Sequence, residues 1–226
     1  MILHFGMLIA SLLLSTGAVA SDPCPVESPG TEWASTCFEA DHTGRRVKSS
    51  YLERLRFDRR GYTTVVISEP RELVAVNRHG KVVVPGIMHT GDYDFPHAQG
   101  GIARFTIVSD MPGARARSQC GYFDSRSFRI VVPAEYDHCQ PFADDEALAC
   151  KECESYCTEP ECQDRILVGG TGFILGPEGQ VRGRRNLPNV KSACKQIYSS
   201  GTGSSHHTST LPRCVIDVEN PFNQLK

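Results

Sequence analysis

Residues Cys120 to Cys150 read CGYFDSRSFRIVVPAEYDHCQPFADDEALAC, and this stretch decides the fold. An apolar opening at Gly121-Tyr122-Phe123 meets a polar turn from Asp124 to Ser127, and Ile130-Val131-Val132 then runs β-branched up to Pro133. β-Branched and aromatic residues fit a pleated, half-buried surface, while small polar residues between two such runs mark a turn. The segment therefore predicts a β-hairpin, followed by Tyr136-Asp137, an acidic cluster and a further apolar strand.

The same order recurs upstream, in LVAVNRHGKVVVPGIMHTGDYDFPHAQGGIARF, with a tight-turn sequence from Asn77 to Gly80, the run Val82-Val83-Val84, then Pro85 and Tyr93-Asp94. A third copy starts at GFILGPEGQV, with Gly172, Phe173 and Gly179, and its Gly176-Pro177-Glu178-Gly179 is again turn chemistry. FEADHTGRRV is an earlier, degenerate copy in which Asp41 and Gly44 stand where Asn77 and Gly80 do. A single hairpin buries too little apolar surface to stand alone, so neighbouring units must pack together. The expectation is an all-β (mainly β) chain, an array of β-hairpin repeat units; an open stack and a propeller-like body both satisfy the pattern.

These units resemble the WG (Trp-Gly) repeat family of bacteria, whose repeats run from a Trp-Gly-aromatic-Ile-Asp opening through a Gly-Lys turn, an apolar run ending in Pro and a Tyr-Asp to a Phe-x-x-Gly-x-Ala close. The best match is Cys120-Gly121-Tyr122-Phe123-Asp124 with Pro133, Tyr136-Asp137, Phe142 and Ala147. The preceding unit supplies Gly80-Lys81, Pro85, Tyr93-Asp94, Gly101 and Ala103. Cys120 occupies the place of the signature Trp, and the one Trp of the chain, Trp33, lies outside the units. The resemblance spans residues 72–182, more loosely 38–67, and implies a β-rich repeat scaffold that binds proteins or other ligands, without an assigned catalytic activity.

Outside the repeats, residues 1–20 carry an apolar run from Met7 to Leu14 and end on Ala18-Val19-Ala20, the pattern of a secretory signal peptide cleaved after Ala20. The apolar stretch is shorter than the ~18 residues a membrane-spanning helix needs, and no membrane span is expected after cleavage. Export into a periplasm or out of the cell agrees with the 10 cysteines, all beyond the cleavage site: Cys24, Cys37, Cys120, Cys139, Cys150, Cys153, Cys157, Cys162, Cys194 and Cys214. An even count in an oxidising compartment reads as disulfides, with Cys24–Cys37 and Cys194–Cys214 as local pairings. A net charge of −2 gives no general field for nucleic acid, and 40% hydrophobic residues support a packed core rather than disorder.

Several segments invite a chemical reading. RILVGGTGFILG, from Arg165 to Gly176, looks like a dinucleotide-binding glycine loop, yet Pro177 and Gly179 break the helix such a loop must open, and too little chain follows. Cys150, Cys153, Cys157 and Cys162 form the alternative metal site, a zinc or redox cluster. Glu152, Glu154, Glu159 and Glu161 oppose thiolate formation there, which favours disulfides. His206-His207 sits in a Ser/Thr/Gly-rich stretch with no second ligand pattern, while His42, His79, His89, His97 and His138 are scattered. No His-Glu-x-x-His or Gly-x-Ser-x-Gly motif occurs, though a hydrolase site assembled in space from repeat loops stays open to a linear reading. The basic runs Arg45-Arg46, Lys48, Arg54, Arg56, Arg59-Arg60, Arg182 and Arg184-Arg185 lack the interleaved aromatics of a stacking nucleic-acid surface and read as a solvated face balanced by Glu53, Asp58 and Glu69.

The chain thus divides into the signal peptide (1–20), a Pro-rich lead (21–32), the repeat body (33–185) with its Cys-rich insertion (150–162), and a disulfide-stapled tail (186–226). A short turn of helix is expected over Ala147 to Tyr156, where cysteines recur at helical spacing. The expected function is a non-enzymatic exported scaffold, without a cofactor, binding a protein or cell-envelope ligand through its loops.

Overall fold

The computed structural model describes Cys24 and residues 32–42, 44–109, 117–159, 162, 164–198 and 213–216. The expected signal peptide, the Pro-rich lead apart from Cys24 and Glu32, and His206-His207 lie outside the described residues.

The chain is mainly β, as its repeats predict. In order come β1 (Glu32–Trp33), β2 (Phe38–Asp41), β3 (Gly44–Val47), the short helix α1 (Ser49–Leu52), β4 (Tyr62–Ile67), β5 (Glu72–Asn77) and β6 (Val82–Val84). Then follow β7 (Ile102–Ser109), β8 (Arg117–Asp124), β9 (Arg129–Tyr136), β10 (His138–Cys139), β11 (Ala147–Lys151), β12 (Glu154–Cys157) and β13 (Arg165–Val168). The last elements are β14 (Thr171–Leu175), β15 (Val181–Asn186), α2 (Val190–Ala193), β16 (Cys194–Tyr198) and β17 (Arg213–Ile216).

Each predicted hairpin forms: β2 with β3, β5 with β6, β8 with β9, and β14 with β15. Their turns use the residues the sequence offers. The Asn77 carboxamide oxygen accepts from the backbone N–H groups of His79 and Lys81, and Gly80 takes φ +78°. Asp124 does the same one unit later, accepting from Arg126 N and Ser127 N at 3.1 and 2.7 Å. There the left-handed position falls on Phe128 (φ +52°), whose ring is buried and stacked on Phe123 at 6.0 Å, so packing offsets the backbone strain.

The units interlock by exchange. β7, which closes the unit of the β5–β6 hairpin, pairs antiparallel with β8 of the next unit, giving the sheet β7-β8-β9. β11 closes the following unit and pairs with β14, giving β10-β11-β14-β15. β4 plays the same part before β5 in β1-β4-β5-β6, where Trp33 runs parallel to β4. Each unit therefore lends its last strand to the sheet of its successor. These sheets do not close into a barrel or propeller among the described residues. One core cluster bridges two of them, joining Ala75, Val84 and Ile87 to Ala103, Phe105, Phe123 and Phe128.

The expected helical turn over Ala147 to Tyr156 is not present; these residues form β11 and β12, reversing at Glu152 (φ +58°). The spacing of Cys150 and Cys153 serves a disulfide across that reversal, not one face of a helix. β11 gains ladders to both β10 and β14, which a helix there would forfeit. All 10 cysteines are paired, as Cys24–Cys37, Cys120–Cys139, Cys150–Cys153, Cys157–Cys162 and Cys194–Cys214. Within the tail, β17 runs parallel to β12 at Cys157↔Arg213 and completes the sheet β13-β12-β17-β16.

Candidate functional site

Three connecting segments from different repeat units converge on one depression of about 530 Å³. Arg60 comes from the turn before β4, Phe95, Pro96, Ala98, Gly100 and Gly101 from the β6–β7 connection, and Ser125 and Arg126 from the β8–β9 turn. Among the described residues no acidic side chain lines it.

Local chemistry places each wall. Arg60 is held by Asp58, which takes the Arg60 Nε hydrogen at 2.8 Å and lies 2.7 Å from Nη2. Asp58 also accepts the Tyr62 backbone N–H, and these bonds hold its carboxyl below the usual carboxylate range. Arg60 Nη1 donates to the Arg126 carbonyl, and its guanidinium lies 5.9 Å from the Phe128 ring centroid, so one arginine ties two units together. The Arg126 guanidinium is exposed and makes no ion pair among the described residues. Gly101 takes φ +77°, a left-handed conformation that favours glycine, and a Cβ there would stand in ordinary contact with Ser125 Oγ and Arg126 Nε at 3.7 and 3.8 Å. Ser125 N donates to Gly101 O at 2.8 Å, pinning the two loops side by side.

The resulting surface combines a hydroxyl, a guanidinium and glycine backbone with an apolar wall at Phe95, Pro96 and Ala98. Guanidinium groups favour carboxylate and phosphate oxygens through forked, charge-assisted hydrogen bonds. A smaller cavity of about 130 Å³ shares Gly100 with it and is lined by Gln99, Ile102, Phe142, Asp144, Asp145 and neighbours, and its acidic edge gives it the opposite preference.

The residues of the repeat signature play unlike roles. Gly80 and Gly179 sit in the turns, each against the preceding hairpin: a Cβ on Gly80 would meet Val47 O at 3.3 Å, and one on Gly179 would meet Val131 O at 2.6 Å. Gly121 lies so close to the facing strand that a Cβ would reach Val132 O at 2.4 Å, while Gly172 is packed by Leu148 and Leu187. Tyr122 is fully buried, its hydroxyl donating to Gln140 O at 2.8 Å, and burial pushes its pKa up. Pro133 stands within β9, and Pro85 follows β6 directly. The two Tyr-Asp pairs differ. Tyr93 is 58% exposed beside a fully buried Asp94, whereas Tyr136 is buried and Asp137, half-buried, binds Arg117 at 2.7 Å.

The basic runs are largely engaged within the protein. Arg45 binds Glu72 at 2.7 Å, Arg54 donates to Cys24 O, and Arg182 reaches Glu146 at 3.3 Å. Of the three acids expected to balance them, Asp58 does so through Arg60. Cys150, Cys153, Cys157 and Cys162 hold two disulfides, so their sulfurs are not thiolates in this state. No group of three His, Cys, Asp or Glu side chains is placed to hold a metal among the described residues. Gly169 and Gly170 connect β13 to β14, and Gly170 lies against the carbonyls of Lys151 and Glu152, so the glycines serve a crossing between two sheets. The sequence did not single out Arg126; its signal is a cation in the centre of a hairpin turn, between the Asp124 anchor and Phe128. No helix among the described residues is long and apolar enough to cross a membrane.

No protein-family model, curated protein or solved structure matches the chain.

Proposed function

We propose that the chain is an exported, non-enzymatic scaffold of WG-like β-hairpin repeats, strengthened by disulfides, that binds an anionic group of a protein or cell-envelope ligand through its converging loops. The observation that carries this reading is the 530 Å³ depression, where loops of successive units bring Arg126, Ser125 and glycine backbone together with no lining carboxylate among the described residues. Five disulfides fit a chain that matures in an oxidising compartment, in a periplasm or outside the cell. Loops on a rigid framework are where binding residues concentrate, and strand exchange between units supplies that framework.

The test is a calorimetric titration of the oxidised full chain with phosphorylated and uronate-bearing glycans and with acidic envelope proteins. Binding that falls with rising salt and weakens about tenfold in Arg126→Ser supports the reading, one charge-assisted contact being worth roughly that factor. Binding unchanged by Arg126→Ser, or turnover of a glycan, ester or peptide, overturns it.

A further inference from the structure

β15 (Val181–Asn186, sequence VRGRRN) forms the outer edge of the sheet β10-β11-β14-β15, and five of its six residues are exposed. The opposite edge of that sheet, β10, is only two residues long. The backbone phase of β15 follows from its ladder. Leu187 N–H donates to Gly170 O, and the register pairs Arg185 with Gly172 and Gly183 with Ile174. Hydrogen-bonded and non-hydrogen-bonded pairs alternate along an antiparallel ladder. Gly183 and Arg185 therefore bond inward to β14, and the N–H and C=O groups of Arg184 and Asn186 point away from the sheet.

The charge on this edge selects what can pair with it. Arg184 opposes Phe173, its guanidinium 5.4 Å from the ring centroid, so it belongs to one face of the sheet; Arg185, opposite Gly172, belongs to the other. Arg182 stands at the bulge between them and the turn. The strand carries no carboxylate of its own. A second copy laid along it would bring two sets of arginines together, and like charges across a strand pair are destabilising. An extended acidic segment meets the opposite situation, with the outward N–H and C=O groups of two residues, unpaired among the described residues, to zip onto and a cation on each face.

We propose that β15 is a docking edge for an extended, acidic polypeptide segment of a partner protein, which adds as a further strand beside Arg184 and Asn186. Main-chain hydrogen bonds would supply affinity and the arginines selectivity, the mode of strand addition. This edge is separate from the Arg60–Arg126 depression, so the two readings stand or fall independently.

The experiment uses the oxidised full chain and a fluorescein-labelled peptide of Glu, Val and Thr with adjacent acidic residues at its centre. Its twin has the same sequence and charge but is N-methylated at alternate residues, which blocks one edge of main-chain bonding. The peptide is expected to bind with strong salt dependence, the twin about tenfold more weakly. Hydrogen exchange is expected to slow at the amides of Arg184 and Asn186 when the unmodified peptide binds. Asn186→Pro removes an outward N–H while leaving the β14 bonds in place, and is expected to weaken binding with the near-ultraviolet dichroism unchanged. Equal binding of peptide and twin would reduce the effect to charge alone and overturn the proposal, as would unprotected Arg184 and Asn186 amides, or self-association of the chain that Asn186→Pro abolishes.

Discussion

Asp94 is fully buried and makes a two-pronged ion pair with Arg104, Nε to Oδ1 at 2.8 Å and Nη2 to Oδ2 at 2.7 Å. Thr90 Oγ1 donates to the same carboxylate, and Arg104 Nη1 donates to Cys139 O at 2.9 Å. The pair thereby clamps the β6–β7 connection, one wall of the depression, to β7 and to the disulfide-bonded Cys139. Removing one member of such a pair strands a buried charge. Arg104→Met is expected to cost about 3–5 kcal/mol, and adding Asp94→Leu to recover a substantial part of that loss. Urea denaturation of the single and double variants measures both.

The disulfides should differ in value with the loop they close. Cys120–Cys139 joins residues 19 apart and Cys150–Cys153 residues 3 apart. On chain-entropy grounds, replacing the first pair by serine costs about 3 kcal/mol and replacing the second about 2 kcal/mol. The comparison is made by denaturation under non-reducing conditions, with thiol titration of the unfolded wild-type chain expected to find no free cysteine.

Two glycines separate steric from conformational cost. A Cβ on Gly121 would stand 2.4 Å from Val132 O and 2.7 Å from the Pro133 carbonyl carbon, so Gly121→Ala must part β8 from β9 and is expected to cost about 3 kcal/mol. Gly44 has φ +118° with nothing within 4 Å, so Gly44→Ala meets only the backbone penalty, about 1–2 kcal/mol. Thermal denaturation of the two variants should rank them in that order.

His138 gives the fold a pH dependence. Burial lowers its pKa from 6.5, with Asp137 pulling it up and Arg165 pushing it down. The unfolded chain then binds a proton more readily than the folded one, so stability contributed by neutral His138 is present above pH 6.5 and is lost as pH falls through the folded value. His138→Asn is expected to flatten the stability profile in that interval, read from urea midpoints across it. An unchanged slope would show that His138 does not carry the dependence.

Much of the local structure is legible in the residues themselves. Asn77 to Gly80 and Gly176 to Gly179 announce turns because their side chains and backbone freedom act within four residues, and Val82–Val84 and Ile130–Val132 announce strands by their branching. Cys24–Cys37 and Cys194–Cys214 form as their proximity in sequence suggests. The segment from Ala147 to Tyr156 misleads because cysteine spacing fits a helical face and a cross-turn disulfide equally well, and the choice belongs to β10 and β14 on either side. Arg126 is silent for a related reason: nothing within its own turn reports that Gly101 and Arg60 will lie beside it.

By itself, then, the sequence determined a mainly β chain of hairpin units with their turns in place, since turn chemistry and β-branching operate over a few neighbouring residues. The tertiary structure alone decided that units exchange strands, that Cys120 meets Cys139, and that of two look-alike Tyr-Asp pairs one buries its acid and the other its tyrosine. Those outcomes depend on which strands and loops meet across the fold. The Arg104 guanidinium makes a fully buried Asp94 tolerable, whereas Asp137 stays half-buried against the exposed Arg117.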